Sequence, residues 1–143
     1  MTPRDVLAFV RMHDLMMLAT VDPSGKPQAA VVEFGELDDF TLIFDTLTTS
    51  RKYTNLQHDG RVAIVIGWDK SITVQLDGVA HELRGTGLEA AKQAYFTKNS
   101  LAQKWKNRPD IAYFAVRPTW LRYSDLNRDP WYVQEYDREE IVG

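Results

Sequence analysis

The alternation of apolar and polar positions divides the chain into short β-prone runs with helical patches between them. Thr2-Pro3-Arg4-Asp5 reads as a helix start, with Thr2 as cap, Pro3 at the first helical position and Asp5 at the positive end of the dipole. Val6, Leu7, Phe9 and Val10 supply that helix with an apolar stripe. Leu15–Val21 is a strand candidate closed by Asp22-Pro23-Ser24-Gly25-Lys26, in which proline fixes φ and glycine takes the left-handed position. Gln28–Phe34 is its hairpin partner.

A third strand is predicted over Phe40–Phe44, after a turn at Asp38-Asp39, and Ser50 then caps a short helix running to about His58. Asp59-Gly60 turns the chain into Arg61–Trp68, and Ile72–Leu76 continues as a strand towards Leu83. Gly87 to about Trp105 has helical periodicity, with Leu88, Ala91 and Tyr95 on one face. Ile111–Val116 and Trp120–Tyr123 form the last strand, bent at Pro118, and Pro130–Tyr136 supplies an edge strand or reaches a partner. Strands outnumber helices and the first hairpin is antiparallel, which points to a barrel rather than a doubly wound sheet.

Composition narrows the class. The 143 residues fit a single domain, 1–143, and the 44% apolar and 26% charged content is that of an ordinary globular chain. There is no cysteine, so disulfides, thiolate nucleophiles and Cys-ligated metals are excluded. The first apolar stretch is broken by Arg11, His13 and Asp14, unlike a signal peptide, and no run approaches the roughly 18 apolar residues of a membrane span. A soluble, cytoplasmic protein is expected. The net charge of −3 argues against a generic nucleic-acid binder. A single-strand-binding barrel would need aromatics alternating with cations along its strands, but strands 15–21, 28–34 and 61–66 hold only Phe34 and Arg61.

The most informative segment is Thr46-Leu47-Thr48-Thr49-Ser50-Arg51-Lys52, which packs four hydroxyls and two adjacent cations between a strand end and a helix start. Free N–H groups and the dipole make a helix N-terminus attractive to anions. Arg51 can grip phosphate oxygens in parallel, Lys52 adds a point charge, and Thr46, Thr48 and Ser50 can donate hydroxyl bonds. These groups suit a terminal phosphomonoester; the same string also serves as an ordinary solvated helix start.

Four stretches together resemble the pyridoxamine 5′-phosphate oxidase-like flavoproteins. They are Leu18–Pro27, Ile43–Thr46 continuing through Ser50–Leu56, Asp59–Ala63 and Val74–Ala80, in order and spacing over roughly residues 5–125. The resemblance implies a mainly β fold, a six-stranded antiparallel split β-barrel with flanking helices, forming a homodimer with FMN in the intersubunit clefts. It implies that Arg51 and Lys52 hold the FMN phosphate, with Thr46 and Ser50 assisting. Thr73 falls where the oxidases place a Gln near the flavin ring, and Gln75 where they place an Arg. The strand around Val32 and Glu33 is expected beside the isoalloxazine, offering mainly backbone groups. The chain is a divergent member: the second-strand Arg and the Lys at its end are replaced by about Ala30 and Gly35, and Ser124–Trp131 does not match the oxidases' substrate segment.

The implied activity is an FMN-dependent oxidoreductase acting on a small molecule; no catalytic residue is singled out. The alternative is a non-catalytic flavin- or haem-binding module. Trp120, Tyr123 and Trp131 are open candidates for approaching the flavin. Gly85-Thr86-Gly87-Leu88-Glu89-Ala90 matches a dinucleotide-binding pattern, but no second βα unit follows, so it is read as a turn into a helix. His13, His58 and His81 lack carboxylate companions at metal-ligand spacing, so no metal site is expected.

Overall fold

The computed structural model describes all 143 residues. Helix α1 (Pro3–Arg11) begins as its sequence predicts: Asp5 N–H donates to Thr2 Oγ1 at 3.3 Å, and the Asp5 carboxylate accepts from Thr2 N–H at 2.7 Å. Its stripe of Val6, Leu7 and Val10 is buried. Strands β1 (Leu15–Val21) and β2 (Pro27–Glu33) form the first hairpin, in register from Leu15 opposite Glu33 to Val21 opposite Pro27. The turn is held by the Asp22 carboxylate, which accepts from Ser24 N–H, Lys26 N–H and Ser24 Oγ–H at 2.9, 2.9 and 2.7 Å.

A short strand β3 (Gly35–Glu36) leads into β4 (Leu42–Leu47), helix α2 (Arg51–His58), β5 (Arg61–Ile66) and β6 (Ile72–Glu82). Helix α3 (Leu88–Lys98) and a 3-10 turn (Ser100–Trp105) precede β7 (Ile111–Asp125), β8 (Tyr132–Asp137) and α4 (Arg138–Val142). The strands form one curled antiparallel sheet ordered β2-β1-β5-β6-β7-β4-β3, with β8 also paired to β7. This is the split-barrel class expected, with eight strands rather than six. The additions are the two-residue β3 and the tail, which becomes an edge strand with Trp120 opposite Asp137 and Asp125 opposite Tyr132.

Three boundaries differ from the sequence pattern. The third predicted strand starts at Leu42, because Phe40 adopts φ 73° in the β3–β4 turn to put its ring in the core. The predicted helix from Gly87 to Trp105 breaks at Asn99, whose Nδ2 donates to Phe34 O at 2.8 Å and Tyr95 O at 3.1 Å. The final strand runs unbroken past Pro118 but carries an extra residue there: Asp77 faces Trp120 and Gly78 faces Pro118, so Thr119 forms a bulge on β7. A Cβ on Gly78 would lie 2.7 Å from Val116 Cγ1 and 2.8 Å from Arg117 O, so the close crossing requires glycine there.

The sheet wraps a main core of 23 buried residues, including Phe44 and Phe114, whose rings stack at 5.3 Å. Helix α3 seals a second cluster built from Ile43, Ala91, Tyr95, Phe96, Ala102, Tyr113 and Ala115. Strands β4 and β7 therefore carry side chains buried on both faces. On the outer face, Val31, Met17 and Val65 lie in one register row and Ala29, Ala19 and Ala63 in the next.

Candidate functional site: a cationic corner between α2 and the first hairpin

Ser50 caps α2 as its position predicts, accepting from Tyr53 N–H at 3.2 Å. The N–H groups of Arg51 and Lys52, in the first turn, have no intrahelical acceptor. Both side chains border a cavity of about 120 Å³ whose other walls are Thr20 of β1 and Gln28, Ala29 and Ala30 of β2. The corner is open, and neither Arg51 nor Lys52 is paired with a carboxylate within 4.0 Å, although nine ion pairs form elsewhere. Arg51 is exposed and Lys52 half-buried. Burial lowers the Lys52 pKa, partly offset by the Asp45 carboxylate. An anion in the cavity would find two cations, free helix N–H groups and the small side chains of two alanines.

One residue that the sequence did not flag fixes this corner. Asn55, buried on α2, donates through Nδ2 to Thr20 Oγ1 and to Gln28 Oε1, both at 2.9 Å. Those bonds lock the helix to both strands of the hairpin, so Arg51 and Lys52 are held against Ala29 and Ala30. The only local signal is an Asn in a helix interior, where it contributes little helix propensity. A second support lies behind the corner. The Asp45 carboxylate accepts from Tyr95 Oη–H at 3.1 Å and Trp105 Nε1–H at 3.4 Å. Burial raises the Asp45 pKa, opposed by those two bonds and by Lys52.

The other sequence-predicted residues are placed differently. Thr46 is buried, its Oγ1 2.8 Å from Ser50 Oγ, so these two hydroxyls bond each other beside the cavity rather than lining it. Val32 is half-buried and packs on the core, while Glu33 is exposed at the far end of β2, opposite Leu15. Thr73 pairs with Ser124, and the exposed Gln75 lies between Val65 and Arg122 on the outer face. Arg51 and Lys52 are thus brought together at one cavity; Val32, Glu33, Thr73 and Gln75 are not part of it. Gly85 and Gly87 take φ of 69° and 94° in a turn leading into α3, and the sheet around them is antiparallel, so the dinucleotide-like pattern serves as a turn. No cluster of three or more His, Asp or Glu side chains could hold a metal ion. No helix is long and apolar enough to cross a membrane.

A curled split barrel with an open cationic corner at one helix start defines the structural class. Comparison with known proteins gives the family: the pyridoxamine 5′-phosphate oxidase model matches residues 2–125, and the chain belongs to that family. A pyridoxine/pyridoxamine 5′-phosphate oxidase of Azorhizobium caulinodans is 40% identical over 119 residues, covering 76% of this chain and 55% of that protein. Its counterpart from Ruegeria is 32% identical over 87 residues, covering 61% of this chain and 42% of that protein. The chain thus spans about half the length of these relatives. Among solved structures, a heme binding protein from Mycobacterium smegmatis superposes with TM-score 0.82 at 24% identity, over 98% of this chain and 58% of that one. A pyridoxamine 5′-phosphate oxidase-related, FMN binding protein from Nostoc punctiforme gives 0.75 at 17%, over 98% and 92%. At these identities the structural likenesses establish the fold.

Proposed function

We propose that this chain is an FMN-binding flavoprotein, a cytoplasmic homodimer with one FMN in each intersubunit cleft, and that it acts as an oxidoreductase on a small molecule. The observation that carries the reading is the open cavity edged by Arg51 and Lys52, cations that form no ion pair with a protein carboxylate. Arg51 grips the FMN phosphate, Lys52 adds its charge, and Ser50, braced by Thr46, keeps the first turn of α2 in place. Ala30 stands about where the oxidases carry an arginine, which leaves this pocket roomier and less cationic than theirs. The hairpin's edge strand β2 passes the flavin along Val32 and Glu33, with Thr73 and Gln75 facing the ring system. The apolar outer rows Val31–Met17–Val65 and Ala29–Ala19–Ala63 suit burial against a second copy, since Val31 is 52% exposed on the single chain. Bound FMN supplies the redox chemistry; the chain supplies binding, orientation and exclusion of water.

The test is spectroscopic. Purified protein should be yellow or become so with FMN, elute as a dimer, and release FMN on denaturation. Bleaching of that flavin by NAD(P)H and its reoxidation in air identify an enzyme. Inertness to every reductant identifies the alternative, a non-catalytic flavin- or haem-binding module, which the likeness to the mycobacterial heme binding protein supports. A protein that takes up haem but no FMN defeats the flavin reading.

A further inference from the structure

The far end of the β1–β2 hairpin carries a second concave site of opposite character. Two adjoining cavities, of about 270 and 370 Å³, share Met12, His13 and Asp69 as walls. They lie where the end of α1 meets the start of β1 and the β5–β6 turn. Leu15, a wall of the first, is five residues from Thr20 along β1, roughly 17 Å at strand rise. The site is therefore separate from the cationic corner.

Three large apolar side chains on its rim face solvent. Met12, Leu15 and Trp68 are 74%, 43% and 49% exposed. Phe9 forms the floor of the second cavity, 4.5 Å from the His13 ring centroid to centroid. Gly67, at φ 74°, permits that floor: a Cβ there would sit 2.7 Å from Phe9 Cζ. Behind Phe9 an aromatic column continues through Tyr123 at 5.7 Å to Tyr132. An aromatic wall of this kind suits a flat ring.

The polar groups define the ring's chemistry. His13 Nδ1 lies 2.9 Å from Phe9 O, and a carbonyl can only accept, so Nδ1 carries the hydrogen. In the neutral imidazole Nε2 is then an acceptor, left without a protein partner. The site accordingly favours a ligand with an O–H or N–H donor. Asp14 and Asp69 add two carboxylates to the walls, against one ammonium, Lys70, and no guanidinium. A phosphate dianion is disfavoured there as clearly as it is favoured beside Arg51 and Lys52.

We propose that this chain binds, at the site walled by Met12, His13, Leu15 and Trp68, a planar, phosphate-free aromatic molecule that donates a hydrogen bond to His13. The flavin path proposed above ends at Glu33, opposite Leu15, so the site is tested on both FMN-treated and flavin-free protein. The probes are 2-naphthol, naphthalene and 2-naphthyl phosphate, followed by equilibrium dialysis. 2-Naphthol should bind saturably at one per chain, and 2-naphthyl phosphate about tenfold or more weakly. Trp68→Ala should weaken 2-naphthol about tenfold or more while leaving the circular dichroism spectrum and the FMN uptake unchanged. His13→Phe should lower affinity for 2-naphthol but not for naphthalene, a split that a merely structural role of His13 would not produce. Equal or tighter binding of the phosphate ester overturns the proposal, as does 2-naphthol binding that ignores Trp68→Ala. So does absence of saturable 2-naphthol binding; a Trp68→Ala shift in oligomeric state beside it would make the patch a subunit contact.

Discussion

The first hairpin ends in two places with opposite chemistry. At the Thr20–Ala29 end, small and polar side chains face two unpaired cations, and the geometry comes from a helix start pinned by Asn55. At the Leu15 end, a tryptophan, a methionine and a histidine face two carboxylates, and the geometry comes from a turn glycine and an aromatic floor. Strand β1 thus runs from a cavity edged by two cations to one walled by two carboxylates. The contrast shows why membership in a family named for phosphate esters does not fix what else this chain binds. On the proposals above, the cationic end takes a phosphate and the apolar end a ring without one.

The largest perturbation expected should spare that contrast while weakening the whole fold. Phe114, buried and stacked on Phe44, also meets the Tyr53 ring of α2 edge-on at 6.0 Å. Phe114→Ala should cost about 3–5 kcal/mol of stability, read as a lowered urea midpoint. Because Tyr53 adjoins Lys52, FMN affinity should fall further than 2-naphthol affinity; an equal fall would show that the two ends are not mechanically separate.

Asn55→Ala is a sharper cut. It removes two hydrogen bonds and leaves the buried Thr20 hydroxyl without that donor, a cost of about 1–3 kcal/mol. FMN uptake should drop with no change at the Met12–Trp68 site. Unaltered FMN affinity in a folded variant would mean that the corner does not rely on this pin. Arg51→Ala should act on binding alone. The lost charge-assisted contact is worth about 1.5–3 kcal/mol, or about a 10- to 150-fold loss of FMN affinity. Stability should stay within about 0.5 kcal/mol, because Arg51 is exposed and holds no ion pair. Unchanged flavin content in that variant would reject the phosphate site.

What the sequence revealed and what it hid divide along the same line. The Thr2 cap, the Asp22 turn and the Ser50 cap all close within four residues, so residue type and order were enough to read them. The Ser50-Arg51-Lys52 cluster was legible for the same reason, although its hydroxyls proved to bond each other. The supports are long-range. Asn55 reaches partners 35 and 27 residues away, and Asp45 is held from Tyr95 and Trp105, 50 and 60 residues on. The break in the predicted helix at Asn99 depends on Phe34 O, 65 residues back, and no periodicity encodes it. The apolar end is assembled from residues 12–15 and 67–69, neither of which forms a motif alone.

The smallest expected effect concerns Asp45, which links the corner to the second hydrophobic cluster. Burial lifts its folded-state pKa above the ordinary 3.8, while hydrogen bonds from Tyr95, Trp105 and its own backbone, with the charge of Lys52, offset part of the rise. The unfolded chain therefore releases this proton at lower pH than the folded one. Between the two pKa values the folded state binds more protons, so Asp45's contribution to stability declines as pH rises from 3.8 through its folded value. Asp45→Asn has no such proton to lose, and its urea midpoint, followed upward in pH from about 3.8, should show less of this decline than the native chain. Identical pH profiles for the two proteins would mean that the carboxylate's partners compensate its burial in full. Asp45 would then hold α3 to the cationic corner by geometry alone, and the charge of that corner would rest on Arg51 and Lys52.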